Sequence, residues 1–387
     1  MIQCASVSEK IVITLAVTTA VAASCCLATA PRDRIRSSAS PGLTVVAPIA
    51  ERDDAVQEDK GENGDLVSAR ESVAVNKPSR LARGTRTPSD EALARGDAAF
   101  EAERCGDALR EYSEAARLAP SDPAPLVGTV RATFCEADTP TAHAADPRNP
   151  VIRGGVATLR VALKIDPSYG PANLELGRAL LVLDEAGEAL LALRKAVSAL
   201  PRDAEAHSAL GVALLATGKV HESVECFRQS VALDPSSVER QTNLATALSM
   251  DGLVAEAAHV LELVVMREPQ NATVNSNLGI AYLGMNQPSK ALPRLRRAVE
   301  LEPDRATFRS NLGYALELSG DKRGAEDQYR RAISLDPGLG SAWVNLGVLL
   351  AHLNRRQEAR KAFERAIEID PTDPSARANL QELDDLK

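Results

Sequence analysis

Seven prolines recur at a fixed spacing along the chain, and this regularity constrains the fold more than any other feature. Each lies 34 residues after the one before, at Pro167, Pro201, Pro235, Pro269, Pro303, Pro337 and Pro371. A period of this length indicates one helical unit copied in series, and each copy is too small to bury its own apolar face. The sequence therefore predicts a stack of similar units.

Side-chain size follows the same period. When the proline is counted as position 32, positions 8, 20 and 27 are mostly small, and positions 7 and 24 are bulky. One copy illustrates the pattern with Leu210, Gly211, Ser223, Phe227 and Ser230. Spacings of three and four place these residues on one face of a helix. Each copy is therefore expected to be two antiparallel helices, with the proline ending the second.

This pattern resembles the tetratricopeptide repeat, whose signature has small residues at 8, 20 and 27, bulky ones at 7 and 24, and proline at 32. The resemblance covers residues 89–373 and implies an all-α, right-handed superhelical α-solenoid of eight helix-turn-helix repeats. The second repeat carries a polar insert at 136–150. Residues 374–387 are expected to form a helix that caps the open end of the stack.

The chain before the repeats has a different composition. Residues 1–30 are predicted to be a signal or membrane-anchor segment, because Ile11 to Ala30 carries no charge. An uncleaved anchor, cleavage after Ala22 or Ala30, and a lipoprotein with Cys25 as the lipidation site remain open alternatives. Residues 31–88 contain no aromatic residue and are rich in Pro, Ser and charges, which predicts a disordered linker.

These segments predict a membrane-anchored protein whose repeats face the extracytoplasmic, periplasmic side. The basic residues that follow the apolar segment favour the opposite, cytoplasmic-facing orientation instead. They are Arg32, Arg34 and Arg36.

Composition and motifs argue against several classes of function. The net charge of −8 and pI of about 5.4 make nucleic acid an unsuitable ligand. The sequence has no phosphate-binding loop, no nucleophile-elbow motif and no metal-ligand spacing of Cys and His. No enzyme activity, cofactor, metal or small-molecule substrate is therefore expected. Cys105 and Cys135 map to the same edge of adjacent repeats, and whether they pair stays open.

The candidate binding residues lie on the first helix of each repeat, which lines a concave groove in the family that the pattern resembles. Position 6 is asparagine in four consecutive repeats, at Asn243, Asn277, Asn311 and Asn345. Asparagine lowers helix propensity, whereas its carboxamide can donate to and accept from a peptide backbone. The arrangement is similar to the asparagine ladder in the repeats of O-GlcNAc transferase and kinesin light chain, which bind extended peptides. The alternative is that duplication copied one tolerated asparagine.

Neutral residues surround this ladder at positions 2, 5 and 9. They are Thr242, Thr273, Ser276, Thr307, Ser310, Ser341 and Tyr314. The sequence therefore predicts a membrane-tethered scaffold that binds an extended segment of a partner protein in this groove. Two alternatives are an envelope lipoprotein that assists pilus or secretion-complex assembly, and a non-catalytic subunit of a separately encoded enzyme such as a glycosyltransferase.

Overall fold

The computed structural model describes residues 80–139 and 146–385. In these ranges it contains 17 α-helices and no β-strand. The prediction of an all-α repeat fold is confirmed. The expected signal or anchor segment, Cys25 and most of the expected linker lie outside the described residues. Within the described ranges, no helix combines the length and the apolar character needed to cross a membrane.

In chain order, sixteen helices of the described residues make up eight repeats of two helices each, and a seventeenth helix follows them. The first four repeats comprise α1 (Pro88–Glu101) and α2 (Cys105–Leu118), α3 (Pro123–Glu136) and α4 (Pro150–Ile165), α5 (Gly170–Val182) and α6 (Ala186–Ala199), and α7 (Ala204–Ala216) and α8 (Val220–Leu233). The last four comprise α9 (Val238–Met250) and α10 (Val254–Arg267), α11 (Ala272–Gly284) and α12 (Pro288–Leu301), α13 (Ala306–Leu318) and α14 (Lys322–Leu335), and α15 (Gly340–His352) and α16 (Arg356–Ile369). The helix after the last repeat is α17 (Pro374–Asp385).

The described residues divide into two compact units between Ala247 and Leu248, inside α9. The first unit contains α1 to α8 and most of α9, and the second contains α10 to α17. The insert that the sequence places in the second repeat falls between the end of α3 and the start of α4, and residues 140–145 of it lie outside the described residues.

Small and large residues pack against each other inside six of the eight repeats, as the size pattern predicts. A Cβ atom added to Gly211 would lie 2.8 Å from two atoms of the Phe227 ring, and one added to Gly347 would lie 2.5 Å from the Phe363 ring. The position 8 residue therefore lets the first helix approach the bulky position 24 residue of the second. The same close contact joins Gly96 to Tyr112, Gly177 to Leu193, Gly279 to Leu295, and Gly313 to Tyr329.

The recurring prolines have a hydrogen-bonding role that the sequence pattern did not predict. In six repeats, a polar side chain at position 4 reaches the carbonyl oxygen of the proline that ends the preceding helix pair. The six contacts are Asn173 with Pro167, His207 with Pro201, Gln241 with Pro235, Asn275 with Pro269, Arg309 with Pro303, and Trp343 with Pro337. These contacts give a hydrogen-bond partner to a carbonyl group in the turn between successive repeats, two residues past the end of a helix.

A disulfide joins the first two repeats. Cys105 at the start of α2 is bonded to Cys135 near the end of α3, with their Cα atoms 5.7 Å apart. The pairing that the sequence left open is therefore present in the structure. Among the described residues, Cys226 is the free cysteine, and burial raises the pKa of its thiol to about 11. A thiol with this pKa stays protonated and unreactive at neutral pH.

Candidate functional site

The predicted asparagine ladder is only partly open to a ligand. In the second unit, Asn277 and Asn311 are half-buried, whereas Asn345 is 6% exposed. The Asn311 Nδ2 atom donates to the Ser276 Oγ atom of the preceding repeat at 3.2 Å. This contact links two repeats, so at least one ladder asparagine has a structural role. In contrast, the buried Oδ1 atom of Asn345 has no hydrogen-bond partner among the described residues.

The residues expected to form a rim around the ladder differ widely in exposure. Ser276 and Ser310 are buried, Thr273 and Ser341 are half-buried, and Thr307 is exposed. The two buried serines belong to the floor of the groove, where Ser276 is already an acceptor for the ladder. Only the position 2 residues of this set offer their hydroxyls at the surface.

Tyr314 lies in a polar group that the sequence analysis did not identify. Glu317, one turn further along α13, accepts a hydrogen bond from the Tyr329 hydroxyl at 3.0 Å and lies 3.7 Å from the Nδ1 atom of His352. Burial raises the pKa of Glu317, and burial together with Glu317 raises that of Tyr314. Position 12 gives no signal in the sequence, because its residue type changes from repeat to repeat.

In the first unit, Thr242 and Asn243 are differently placed. The Thr242 hydroxyl donates to the carbonyl oxygen of Val238 within α9 at 2.8 Å, which leaves it less available to a ligand. Asn243 is 6% exposed, and its Nδ2 atom has no partner among the described residues. Asn243 therefore retains a donor that a bound segment could use.

Charged residues of the first unit form a continuous chain of salt bridges on the first helices of repeats two to five. Arg131 contacts Glu175 at 2.7 Å, and both side chains are buried. Arg178 lies 3.5 Å from Glu175 and 3.5 Å from Glu205. Burial alone would raise the pKa of Glu175, but the two arginines outweigh it and hold that pKa below its usual value.

The chain of salt bridges continues to α9. Arg240 contacts Glu205 at 3.1 Å and Asp234 at 3.3 Å. Glu239, the neighbour of Arg240, occupies position 2 of the fifth repeat, so the prediction that neutral residues surround the ladder is wrong at this position. Glu239 forms no salt bridge or hydrogen bond with any described residue. Burial and the nearby Glu205 raise its pKa to about 8. The sequence pattern did not predict this chain, because its members occupy different repeat positions from one repeat to the next.

The groove positions of the first repeat hold a segment of the chain itself. Residues 80–87, which the sequence assigns to the linker, are non-helical and lie against α1. The backbone N–H groups of Leu81 and Ala82 both donate to the Asp97 carboxylate at 2.9 Å. Those of Arg83 and Thr85 donate to the Asp90 carboxylate at 2.6 and 2.7 Å. These bonds lower the pKa of Asp90.

One side chain of this docked segment is recognised as well. The Arg83 guanidinium donates to both carboxylate oxygens of Asp122, at 2.9 and 3.1 Å, and lies 5.9 Å from the centre of the Tyr169 ring. Asp90 and Asp97 occupy positions 2 and 9 of the first repeat. Carboxylates at groove positions therefore bind the backbone of a non-helical chain in this protein.

The residues that the structure describes contain no group of three or more His, Cys, Asp or Glu that could hold a metal ion. The described parts of the groove instead offer carboxamides, carboxylates and a phenol, all of which bind through hydrogen bonds and ion pairs.

Sequence comparison gives the family. The family model for the tetratricopeptide repeat matches residues 174–238, 208–273, 276–340 and 319–374. The chain belongs to the tetratricopeptide repeat family. No curated protein matches it in sequence.

Solved structures share the fold at low identity. The Cut9–Hcn1 hetero-tetramer of APC/C matches with a TM-score of 0.53 and 15% identity, over 79% of this chain and 57% of that one. TTC0263, a thermophilic repeat protein of Thermus thermophilus, matches with a TM-score of 0.45 and 23% identity, over 47% of this chain and 100% of that one. Pseudomonas aeruginosa pilF has a TM-score of 0.46 and 20% identity, over 57% of this chain and 99% of that one.

Proposed function

We propose that this protein is a non-catalytic scaffold that binds an extended segment of a partner protein through the position 6 asparagines. The observation that carries the proposal is the buried Asn345 Oδ1 atom, which lacks a hydrogen-bond partner among the described residues. A buried polar atom without a partner costs about 1 to 3 kcal/mol. The backbone N–H group of a bound segment would remove that cost.

The surroundings of Asn345 suit such a ligand. Tyr314 and Glu317 lie on the first helix of the preceding repeat, and His352 lies at the end of the same helix as Asn345. These side chains would bind polar groups of the segment, while the asparagines bind its backbone without reading its sequence. Tethering to a membrane is the second part of the proposal, and it rests on the uncharged run from Ile11 to Ala30.

Capture from a native lysate of the source organism tests the groove. The full chain in mild detergent is compared with a triple variant that carries Asn277→Ala, Asn311→Ala and Asn345→Ala. We expect the wild type to capture a protein that the triple variant does not, because the variant lacks the carboxamides that bind the backbone.

A matched control carries Glu300→Ala, Arg323→Ala and Glu364→Ala, which replace exposed side chains on second helices of the same repeats. The control should capture the same protein as the wild type, and circular dichroism should be equal for all three. Equal capture by the wild type and the ladder variant would mean that the asparagines have only a structural role.

A further inference from the structure

The salt-bridge chain of the first unit has a further carboxylate beside it that takes part in none of its salt bridges. Its three arginines, Arg131, Arg178 and Arg240, face Glu175, Glu205, Asp234 and Glu239. The first three carboxylates each contact an arginine within 3.5 Å. Glu239 is the further carboxylate. It lies on α9 beside the end of this chain, and it is half-buried.

Glu239 occupies the same repeat position as a carboxylate that already binds a chain segment. It lies at position 2 of the fifth repeat, and Asp90 lies at position 2 of the first. The Asp90 carboxylate accepts two backbone N–H groups of the docked segment. On the first repeat, the carboxylate at position 2 therefore binds the backbone of a non-helical segment.

A second polar group without a partner lies one helical turn from Glu239. Residues 239 and 243 are separated by four positions and therefore share a face of α9. Asn243 is 6% exposed, and its Nδ2 atom has no partner among the described residues. An acceptor that forms no salt bridge or hydrogen bond and a donor that forms no hydrogen bond, both counted within the described residues, thus lie side by side on the groove face of this helix.

We propose that Glu239 and Asn243 form a subsite for a basic residue of the partner segment. The arginine or lysine side chain of the segment pairs with the Glu239 carboxylate, and the Asn243 Nδ2 atom donates to a backbone carbonyl of the same segment. This inference rests on the proposed function, because it requires a protein segment in the groove.

The charges around Glu239 favour a cation as the ligand group. Glu205 is engaged by Arg178 and Arg240 and does not need a further partner. Glu239, in contrast, forms no salt bridge. Burial and the nearby Glu205 raise its pKa to about 8, although Arg240 and Arg178 partly offset this rise. A cation from outside the chain would stabilise the ionised form of Glu239, whereas an anion would add to the repulsion.

The chain contains one example of how such a side chain is held. Arg83 of the docked segment is bound by both oxygens of Asp122 and lies against Tyr169. Its backbone N–H group is bound at the same time by Asp90. The first repeat thus binds a basic residue through its side chain and its backbone together, and the proposed subsite offers the same two kinds of contact.

Selection from a displayed library of random 12-residue peptides tests the subsite on the full chain at pH 7.5. We expect the selected peptides to share an arginine or lysine at a constant place. Replacing that arginine with citrulline, its neutral isostere, should weaken binding to the wild type about tenfold or more, which corresponds to about 1.4 kcal/mol.

The same peptides are then measured with Glu239→Gln and with a control, Glu225→Gln, which changes an exposed carboxylate on α8. Glu239→Gln should weaken binding of the arginine peptide by a similar factor and leave the citrulline peptide unchanged, and the control should do neither. The citrulline comparison uses the wild type alone, so it stays decisive if a variant folds poorly.

The following outcomes would contradict the proposed subsite. Peptides without a basic preference, or arginine peptides that bind wild type and Glu239→Gln equally, would exclude it. If those peptides still lose affinity for the Asn277, Asn311 and Asn345 triple variant, the proposed function stands without the subsite. If the wild type selects no peptide at all, the subsite and the proposed function both fall.

Discussion

At the scale of single residues, the close contact between positions 8 and 24 limits what can replace a glycine. A Cβ atom at Gly211 would overlap the Phe227 ring, which is fully buried. The ring cannot move away without opening space in a close-packed core. The small residue at position 8 of the repeat signature is therefore explained by the close approach of the two helices of one repeat.

Gly211→Ala is predicted to lower the free energy of unfolding by about 1 to 3 kcal/mol, because overpacking forces side chains out of their preferred rotamers. Urea denaturation followed by circular dichroism measures this. The control is Gly154→Ala on α4, where an added Cβ would meet no atom within 4 Å. This control should be neutral or stabilising by up to about 1 kcal/mol, since alanine favours a helix over glycine. An equal loss in both variants would contradict the explanation.

Residue identity predicted the helix packing better than it predicted the site. The sizes at positions 7, 8, 20, 24 and 27 follow from contacts inside one repeat, and the contact between positions 8 and 24 recurs in six of the copies. Exposure at position 6 differs between copies, because the residues around it come from neighbouring repeats and vary. The sequence could therefore locate Asn277 and Asn345 on one face but could not tell that the second is buried.

At the scale of elements, residues 80–87 behave as part of the first repeat. Leu81 is buried, and four backbone N–H groups of the segment are bound by Asp90 and Asp97. Composition predicted a disordered linker here because charges and small residues dominate the stretch. The contacts that order it depend on carboxylates more distant in sequence, which a composition argument does not include.

Asp90→Asn is predicted to release the docked segment, because the amide cannot replace the carboxylate as an acceptor of two N–H groups. Trypsin should then cleave after Arg80 and Arg83 about tenfold faster or more, which mass spectrometry of the first fragments would detect. Glu91→Gln changes an exposed carboxylate of the same helical turn and serves as the control. Cleavage at the wild-type rate in Asp90→Asn would mean that the buried Leu81 and the contacts with Asp97 and Asp122 hold the segment without Asp90.

At the scale of the whole molecule, stability should depend on pH through Glu239. Its pKa rises from the ordinary value of 4.5 in the unfolded chain to about 8 in the folded one. The folded state therefore favours the protonated form, and stability is lost as the pH rises from about 4.5 through about 8. The groups that set this pKa are Glu205, which raises it, and Arg240 and Arg178, which lower it.

Glu239→Gln is expected to remove part of this dependence. The urea midpoint of the variant should exceed that of the wild type by more at pH 8 than at pH 5. Carboxylates with lowered pKa, such as Glu175, titrate below this range and should not contribute. With Glu225→Gln, the difference from the wild type should be the same at both pH values. A Glu239→Gln difference that does not grow with pH would show that Glu239 is ionised in the folded protein.

The period of 34 residues was sufficient to predict the class of fold and the number of repeats, because stacking of identical units leaves few alternatives. The salt-bridge chain from Arg131 to Arg240 was not predicted. Its members are far apart in sequence and meet only when consecutive first helices lie side by side.

The disulfide between Cys105 and Cys135 has a consequence for how the array comes apart. A terminal repeat has one neighbour instead of two, so fraying normally begins at either end. Here the first repeat is covalently joined to the second, whereas α16 and α17 are held by contacts such as that of Arg356 with the Leu383 carbonyl. Opening should therefore start at the carboxyl-terminal end and proceed towards the crosslinked pair, so that amide exchange runs in one direction along the chain.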